Sequence, residues 1–540
     1  MDYFKLALAL TSVAAIIGLV ACSGTEKPTP TPAATVQPTS APPTSTIGPA
    51  DPYVIDLAST APLSTIFGGD AGDMRSDLPP VVTGDFNADG IDDILVGARF
   101  GDGPNNQREG AGEAYVIFGS ADVPQAIDIA DAQQDLTIWG AAPGDSLGFA
   151  ATAADINDDG IDDIIVAALF AAGSSGDAGS VYIVFGGPGL QGSLDLAEVD
   201  ADVTIEGPEP GGFFGDSVAA GDINGDDLVD IIIGATFRSH QRDPQSVAVN
   251  GGATYVVFGS SKWPAAVDTS RGEFDVAIFG ADDFDELGDT VASGDINGDG
   301  FDDIIMTAEA ADGPDNARPT AAEVHVVFGS PDLSGDLNIG EGDQDLSILG
   351  ADPHDTLGFS LATGDLDGDG VDDLVMSARG DNGPRNSANA VGAVYLLAGG
   401  PDLPSVIDLA ELPDVVAGLY GIDSADLMSH PATGDLDGDG RQELLVGTSF
   451  GDGPNNDRLE SGDVYILDAA ALGGYKTIDA YPFIMSIFAG SPGQRLGTAI
   501  ALGDVNDDGA QEIIVMAADA DGPEGLRPGA GRVYVLSQGE

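Results

Sequence analysis

A nine-residue segment rich in carboxylate and amide side chains recurs seven times along the chain, as in DINGDGFDD at residues 295–303. Successive copies begin 67 to 73 residues apart. Within each copy, oxygen-bearing side chains occupy positions 1, 3, 5 and 9, and position 6 is usually glycine. Oxygen ligands at alternate positions of a tight loop are the chemistry that a hard divalent cation prefers.

Calcium is the cation that this donor set favours. Histidine and cysteine are absent from the segments, which disfavours zinc and copper. Magnesium prefers octahedral sites that keep several waters, so we predict up to seven Ca²⁺ ions, each with the position-7 carbonyl as a further ligand. The alternative is a solvated Asp/Gly turn without metal. The predicted ligands are Asp85, Asn87, Asp89, Ile91, Asp93, Asp155, Asn157, Asp159, Ile161, Asp163, Asp222, Asn224, Asp226, Leu228, Asp230, Asp295, Asn297, Asp299, Phe301, Asp303, Asp365, Asp367, Asp369, Val371, Asp373, Asp435, Asp437, Asp439, Arg441, Glu443, Asp504, Asn506, Asp508, Ala510 and Glu512.

Helices do not flank these loops in the sequence pattern. An EF-hand needs a glutamate at position 12, where this chain has apolar residues such as Val96 and Met306. Instead, each repeat contains four short runs rich in Val, Ile and Tyr, separated by Gly, Pro and Asp, which is typical of β-strands. Repeated four-stranded units predict an all-β fold, a seven-bladed β-propeller of four-stranded blades.

The two ends of the repeat region complement each other. The chain stops after the third strand of the seventh repeat, while residues 54–69 resemble a fourth-strand segment that precedes repeat one. We therefore predict that Ser64–Phe67 closes the last blade and removes an open sheet edge. The first and sixth blades should be the least regular, because Pro79, Pro80 and Pro431 fall in their first strands.

The N-terminus predicts export. Lys5 precedes an apolar run that ends in LVAC, with the only cysteine of the chain, Cys22, at its end. We expect residues 1–21 to be a lipoprotein signal peptide and Cys22 to be lipidated; the alternative is an ordinary signal peptide. Residues 22–50 are rich in Pro and Thr, as in an extended stalk, and residues 51–540 form the propeller. The predicted location is the bacterial cell surface, after secretion across the cytoplasmic membrane, with the lipid as the only membrane anchor.

The repeats resemble the FG-GAP family, the seven-bladed propeller of integrin α subunits and of many bacterial surface proteins. The segments that carry the resemblance include LGFAATAADINDDGIDDIIVAA and FFGDSVAAGDINGDDLVDIIIGA. The resemblance implies that each acidic loop joins the first two strands of a blade and binds calcium. Three loops depart from the pattern, with Asp227 in place of glycine at position 6 and with Glu443 and Glu512 at position 9.

Composition and motifs favour binding over catalysis. Asp and Glu number 90 against 18 Lys and Arg, a net charge of −72, which excludes nucleic acid as a partner. The four histidines lie in different repeats, and no nucleophile or phosphate-binding motif is present. We predict a binding or adhesion module for a glycan or protein, and not an enzyme. The alternative is a calcium-dependent carbohydrate-active enzyme, a polysaccharide lyase or hydrolase.

The scarce arginines suggest where a ligand binds. Several follow a Gly-Pro pair in the loops after the second strands, on the face opposite calcium, and integrin ligands are similarly bound away from the calcium loops. We predict that they line a cationic partner-binding face; alternatively, each pairs with an aspartate and orders its loop. The tripeptide Arg379–Gly380–Asp381 lies in such a loop, and we interpret it as incidental. The predicted face comprises Arg108, Arg318, Arg385, Arg458 and Arg527.

Overall fold

The computed structural model describes residues 53–243, 246–384, 386–413, 415–469, 472–481 and 483–537. This part of the chain forms seven five-stranded sheets, the blades of a β-propeller, together with two short hairpins. The hairpins are Ala172–Gly173 with Gly176–Asp177, and His240–Asp243 with Ser246–Ala248. The predicted boundaries near residues 21 and 50, and Cys22 itself, lie outside the described residues.

The innermost strand of each blade is the first in sequence. First strands of successive blades contact one another around a complete ring, including blade 7 with blade 1. Hydroxyl groups join them; for example, Thr83 donates to the Leu502 carbonyl at 2.6 Å. The first strands of blades 1 to 7 are Val81–Gly84, Leu147–Ala154, Phe214–Gly221, Leu287–Gly294, Leu357–Gly364, Met428–Gly434 and Leu496–Gly503.

The second strands are buried along their whole length because each is covered by a neighbouring blade on both faces, which explains their continuous apolar sequences. They are Asp93–Ala98, Asp163–Ala168, Asp230–Ala235, Asp303–Ala308, Asp373–Ala378, Glu443–Thr448 and Glu512–Ala517. The third strands, antiparallel to them, are Glu113–Ile117, Ser180–Val184, Ala253–Val257, Glu323–Val327, Ala393–Leu397, Asp463–Leu467 and Arg532–Leu536.

The fourth strands complete the predicted set. They are Leu136–Trp139, Val203–Glu206, Val276–Phe279, Leu346–Leu349, Val416–Tyr420, Phe483–Phe488 and Ser64–Phe67. The last of these pairs antiparallel with Arg532–Leu536, so the predicted N-terminal closure of blade 7 is confirmed.

A fifth, parallel strand at the outer edge of every blade was not predicted. In six blades it comes from the part of the next repeat between the third and fourth strands, and in blade 6 it comes from the N-terminal segment that precedes Ser64–Phe67. In each case it pairs with the fourth strand of its blade. These strands are Gly192–Asp195, Ala266–Asp268, Gly335–Asn338, Val406–Asp408, Tyr475–Thr477, Val54–Asp56 and Ala126–Asp128. The N-terminal segment therefore joins blade 6 through Val54–Asp56 and blade 7 through Ser64–Phe67.

Seven apolar clusters fill the spaces between neighbouring blades. The cluster between blades 7 and 1 contains both Ile66 and Tyr115, and therefore includes the closing strand. Prolines shorten the first strand of blade 1 to four residues, compared with eight in blade 2, as predicted from Pro79 and Pro80.

Short 3-10 turns are the helical elements of the described residues, and no helix there is long and apolar enough to cross a membrane. The turns are Pro104–Asn106, Ile129–Asp131, Thr269–Arg271, Pro314–Asn316, Ile339–Glu341, Leu409–Glu411, Ile478–Ala480 and Pro523–Gly525.

Candidate metal centre

All seven acidic segments form the turn between the first and second strands of a blade. The position-1 carboxylate accepts the N–H groups of positions 5 and 6 in every loop; Asp295 does so at 3.0 and 2.8 Å. The position-5 carboxylate accepts the N–H of position 7, as from Phe301 to Asp299 at 3.1 Å. Each ionised carboxylate has about four lone-pair sites, so these bonds leave oxygen lone pairs for another ligand.

Backbone geometry at positions 4 and 6 is left-handed in every loop. At position 6, φ lies between 66° at Asp227 and 91° at Gly300, which accounts for the preference for glycine there. Asp227 adopts this conformation despite its Cβ, at a cost that Asp tolerates better than most residues. Position 4, where φ is 64° at Ala88, was not singled out from the sequence.

Position 9 is the buried end of each loop. Its side chain is 0% exposed in Asp93 and Asp303, and at most 3% exposed in the other five loops. Burial raises the pKa of Asp303 to about 7, and the neighbouring Asp299 raises that pKa further. Glu443 and Glu512 occupy the same place and likewise accept the N–H of position 2, so their longer side chains keep the loop geometry.

Position 8 links neighbouring loops, a role that sequence reasoning missed. The Asp162 carboxylate accepts the N–H of Asp85 in the preceding loop at 3.0 Å, and Asp92 does the same for Asp504 at 2.8 Å. Asp302 and Asp372 repeat this contact. The repeated Asp-Asp doublet at positions 8 and 9 was the available signal. These contacts join four of the seven neighbouring pairs of loops on one face of the propeller.

In two of the seven loops, carboxylate oxygens lie close enough together to share one cation. In loop five, carboxylate oxygens of Asp365, Asp367 and Asp369 lie within 4.8 Å of one another, and in loop six those of Asp435, Asp437 and Glu443 do. Where position 3 is asparagine, its amide donates to position 9, as from Asn87 to Asp93 at 3.1 Å. A half-turn of that amide would present its oxygen instead. An all-oxygen set of this kind fits calcium.

Four of the five predicted partner-face arginines share one contact. Each donates to a carbonyl after the fourth strand of its own blade and to an aspartate that ends the fifth strand. Arg318 donates to both carboxylate oxygens of Asp408 at 2.7 Å, and Arg458 to those of Asp56 at 2.6 Å. The other two pairs are Arg108–Asp195 and Arg527–Asp128.

These pairs support the alternative interpretation of the arginines. Their side chains are only 16 to 21% exposed, and the pairing lowers the pKa of Asp56, Asp195 and Asp408. The guanidinium groups therefore attach the fifth strand to its blade and do not form an open cationic surface. Arg385 lies outside the described residues.

The Arg379–Gly380–Asp381 tripeptide is not presented to solvent as a motif. Asp381 is 4% exposed and accepts hydrogen bonds from the Tyr395 hydroxyl at 2.6 Å and the Gly383 N–H at 2.7 Å. The Arg379 guanidinium lies over the Phe359 ring, 4.6 Å from its centroid. Both charged side chains therefore have structural contacts within blade 5 and its neighbours.

Comparisons with known proteins agree with this architecture. The FG-GAP repeat model matches residues 81–117, 147–184, 214–257, 287–326, 357–397, 429–467 and 496–536, more than half of the chain. Human phosphatidylinositol-glycan-specific phospholipase D is 27% identical over 72% of this chain and 46% of its own length. Integrin alpha-V of Gallus gallus is 32% identical over 34% of this chain and 15% of its own length.

A structural match is the crystal structure of the V. cholerae biofilm matrix protein Bap1, with a TM-score of 0.36, 13% identity and coverage of 88% and 90% of the two chains. The chain spans less than half the length of the curated relatives that it matches. On the strength of its seven matched repeats, which coincide with the seven blades, the chain belongs to the FG-GAP repeat family.

Proposed function

We propose that the protein is a calcium-stabilised binding or adhesion module, held at a bacterial surface through lipidated Cys22 and the Pro/Thr-rich stalk. The loop geometry carries this proposal. In each of seven loops, a buried position-9 carboxylate lies near a half-buried carboxylate at position 1 and an exposed one at position 5, with backbone N–H groups fixing their orientation. Burial of like charges is costly unless they are protonated or paired, and a divalent cation would pair them.

Calcium has a structural role in this proposal. The loops lie at the start of the fully buried second strands, so ions there would fix the ends of the strands that form the blade cores. They would also neutralise repulsion among the loops linked through position 8.

Ligand binding is proposed on the opposite face, at the mouth of the central channel. The second strands begin at the acidic loops and are six residues long, so the residues that follow them lie about 20 Å away, on the opposite face, next to the innermost strands. Arg99 lies between the Phe100 and Phe149 rings, 4.7 and 4.9 Å from their centroids. Phe100 and Phe284 are 42% and 55% exposed. Exposed aromatic rings of this kind suit sugar faces or protein side chains.

Acidic side chains occupy one side of the same mouth. Asp216 and Asp289 lie on the first strands of blades 3 and 4, and Glu309 follows the second strand of blade 4. Burial raises the pKa of Asp216 to about 7, and Glu309 raises it further; burial and Glu309 also raise the pKa of Asp289. Arg379 and His430 lie in blades 5 and 6. Burial raises the pKa of Glu309, which the charge of Arg379 partly offsets, and burial lowers the pKa of His430 to about 4, which leaves Arg379 as the cation of this group.

A stoichiometry measurement tests the metal part of the proposal. Equilibrium dialysis of the whole chain should give up to seven calcium ions, and Asp299→Ala should remove one. Asp122→Ala, which deletes an exposed carboxylate outside the loops, is the matched control. Unchanged stoichiometry in Asp299→Ala, or no bound calcium at ~1 mM, the range typical of extracellular modules, would contradict the proposal.

The binding part needs a different assay. The same protein is applied to a glycan and matrix-protein array and to a turnover screen on polysaccharides. Binding without turnover supports the proposed module, whereas turnover that ends on calcium chelation would favour the enzymatic alternative. The phospholipase named among the relatives is more than twice as long as the matched region, so its activity is not part of the proposal.

A further inference from the structure

The seven blades share an inter-blade site whose residues can be compared directly. The first residue of each third strand pairs with the last residue of the second strand, as Glu113 does with Ala98 and Arg532 with Ala517. This position is acidic in blades 1, 4 and 6 and small in blades 2, 3 and 5. Blade 7 alone has a base there. The residues are Glu113, Ser180, Ala253, Glu323, Ala393, Asp463 and Arg532.

A second position of this site changes in the same blade. Before blades 1, 2, 4 and 5, an aspartate accepts the N–H of the residue three places earlier, as Asp355 does from Asp352 at 3.0 Å. Before blade 7, Gln494 accepts the Ser491 N–H at 3.2 Å. The hydrogen bond is kept while the carboxylate is lost. Compared with blades 1 and 4, where both positions are acidic, the site of blade 7 therefore lacks both carboxylates.

A cavity of about 390 Å³ lies at that site, in the seam between blades 6 and 7. The N-terminal segment around Thr60 covers it, and Thr65 and Phe67 of the closing strand form part of its wall. Hydroxyl and amide groups of Thr60, Ser491, Gln494 and Tyr534 line it. In the part of the chain that the structure describes, no aspartate or glutamate lines it, although these residues make up 90 of 540 in the chain.

Arg532 is the charged residue of the cavity wall. Its guanidinium lies 5.1 Å from the Phe67 centroid and donates to the carbonyls of Asp521 and Gly522 and to the Tyr534 hydroxyl. Among the described residues, no carboxylate forms an ion pair with it. A guanidinium has five N–H donors, and these three bonds leave two for a ligand.

We infer that this seam cavity binds a carboxylated sugar, a hexuronate unit of an acidic polysaccharide. A guanidinium held in place by stacking and carbonyl contacts is suited to a carboxylate, which it can bind with two parallel hydrogen bonds. The surrounding hydroxyl and amide groups suit sugar hydroxyls, and cavities of a few hundred Å³ are typical of small-ligand sites. The inference adds a second site, separate from the channel mouth, to the proposed binding function, on which it rests for the class of ligand.

Calorimetric titration of the whole chain with sodium glucuronate, beside neutral glucose, tests the inference. We expect saturable glucuronate binding at least tenfold tighter than glucose binding. Gln494→Asp should weaken it at least tenfold, because it restores the carboxylate that four other inter-blade sites accommodate with the same hydrogen bond. Arg532→Glu restores the residue type of blades 1 and 4 and should abolish binding. Arg271→Gln, which removes a base that is 72% exposed, should leave binding unchanged.

Equal affinity for glucose, or full glucuronate binding by Gln494→Asp, would overturn the inference, as would the absence of glucuronate binding at ~10 mM. If Arg532→Glu fails to fold, glucuronate binding by Gln494→Asp still tests the inference. Failure here is distinguishable from failure of the proposed function, because calcium stoichiometry and array binding are measured separately. A protein that binds on the array but does not bind glucuronate would support the proposed binding module and overturn the inference about the seam cavity.

Discussion

Among single residues, Asp355 and Asp381 show how burial affects a carboxyl group in this fold. Asp355 is 2% exposed, and one of its carboxyl oxygens has no hydrogen-bond partner in the described structure. Burial raises the pKa of Asp355 to about 8, and the nearby Asp381 raises it further. Burial also raises the pKa of Asp381, against the hydrogen bond from Tyr395. In the folded protein, Asp355 is therefore protonated over most of the acidic and neutral range.

This raised pKa predicts that stability falls with increasing pH. A carboxyl group with a higher pKa in the folded than in the unfolded state favours folding at low pH, and this contribution is lost between about pH 4 and pH 8. Asp355→Asn cannot ionise and keeps the acceptor for the Asp352 N–H. Its free energy of unfolding should match the wild type near pH 4 and exceed it by ~1 kcal/mol or more at pH 8.

Denaturant unfolding in saturating calcium measures this difference, with Asp131→Asn at an exposed position as control. Parallel pH profiles for wild type and Asp355→Asn would contradict the prediction.

The roles of individual residues could be predicted where they depend on local geometry. The turn formed by each acidic segment and the positive φ at position 6 follow from nine adjacent residues, and both are present in the structure. The roles of Asp162 and Arg458 depend on partners 77 and 402 residues away, so no local pattern could assign them. For the arginines, the repeated spacing was informative, but only the positions of the fifth strands decide between the two interpretations.

Among the strands, too, those that local sequence defines were predicted, and those that depend on distant partners were missed. Four strands per blade were predictable because they are apolar and alternate with turns. The fifth is three or four residues long and partly exposed, as in Val54–Asp56, and it pairs outside its own repeat. The recurring Ile-Asp or Val-Asp that ends four of these strands was the only available signal.

The Arg458–Asp56 pair should measurably stabilise the strand Val54–Asp56. The pair is bidentate, its side chains are 17% and 26% exposed, and Arg458 also donates to the Ala489 carbonyl at 2.7 Å. A double-mutant cycle with Arg458→Gln and Asp56→Asn should give a coupling energy of ~1–2 kcal/mol, the range of charge-assisted bonds.

The pair Arg271–Asp268, whose guanidinium is 72% exposed and which lies outside the calcium loops, serves as the control and should show weaker coupling. Equal coupling in the two cycles would mean that partial burial adds nothing to the Arg458 contact.

For the molecule as a whole, the N-terminal segment is the piece that makes the ring continuous. It supplies the fourth strand of blade 7 and the fifth strand of blade 6, and Ile66 is 1% exposed in the core between blades 7 and 1. Deleting residues 54–69 should expose the edge of Arg532–Leu536 and lead to aggregation or loss of cooperative unfolding. Light scattering and calorimetry detect both. A monomeric, equally stable truncated protein would show that the ring does not need this segment.

Net charge makes the stability of the ring sensitive to cations. Seven calcium ions would carry 14 positive charges and reduce the net charge from −72 to −58. They would bind at the loops, where burial already raises the pKa of the position-9 carboxyl groups of Asp93, Asp163 and Asp230 to about 7. Removing the ions leaves these groups to be protonated or to repel their neighbours, so chelation should destabilise the folded state.

Raising calcium from chelated levels to tenfold above the dissociation constant should stabilise each site by about 1.4 kcal/mol, or ~10 kcal/mol for seven sites. Calorimetry should therefore show a melting temperature that rises steadily with calcium concentration. General screening would also relieve repulsion, but sodium chloride at the same ionic strength supplies that screening without binding the loops. If sodium chloride reproduces the whole calcium shift, the loops are solvated turns and the charge alone explains the effect. A shift specific to calcium, and smaller in Asp299→Ala, means that the loops bind the ions that hold the blades together.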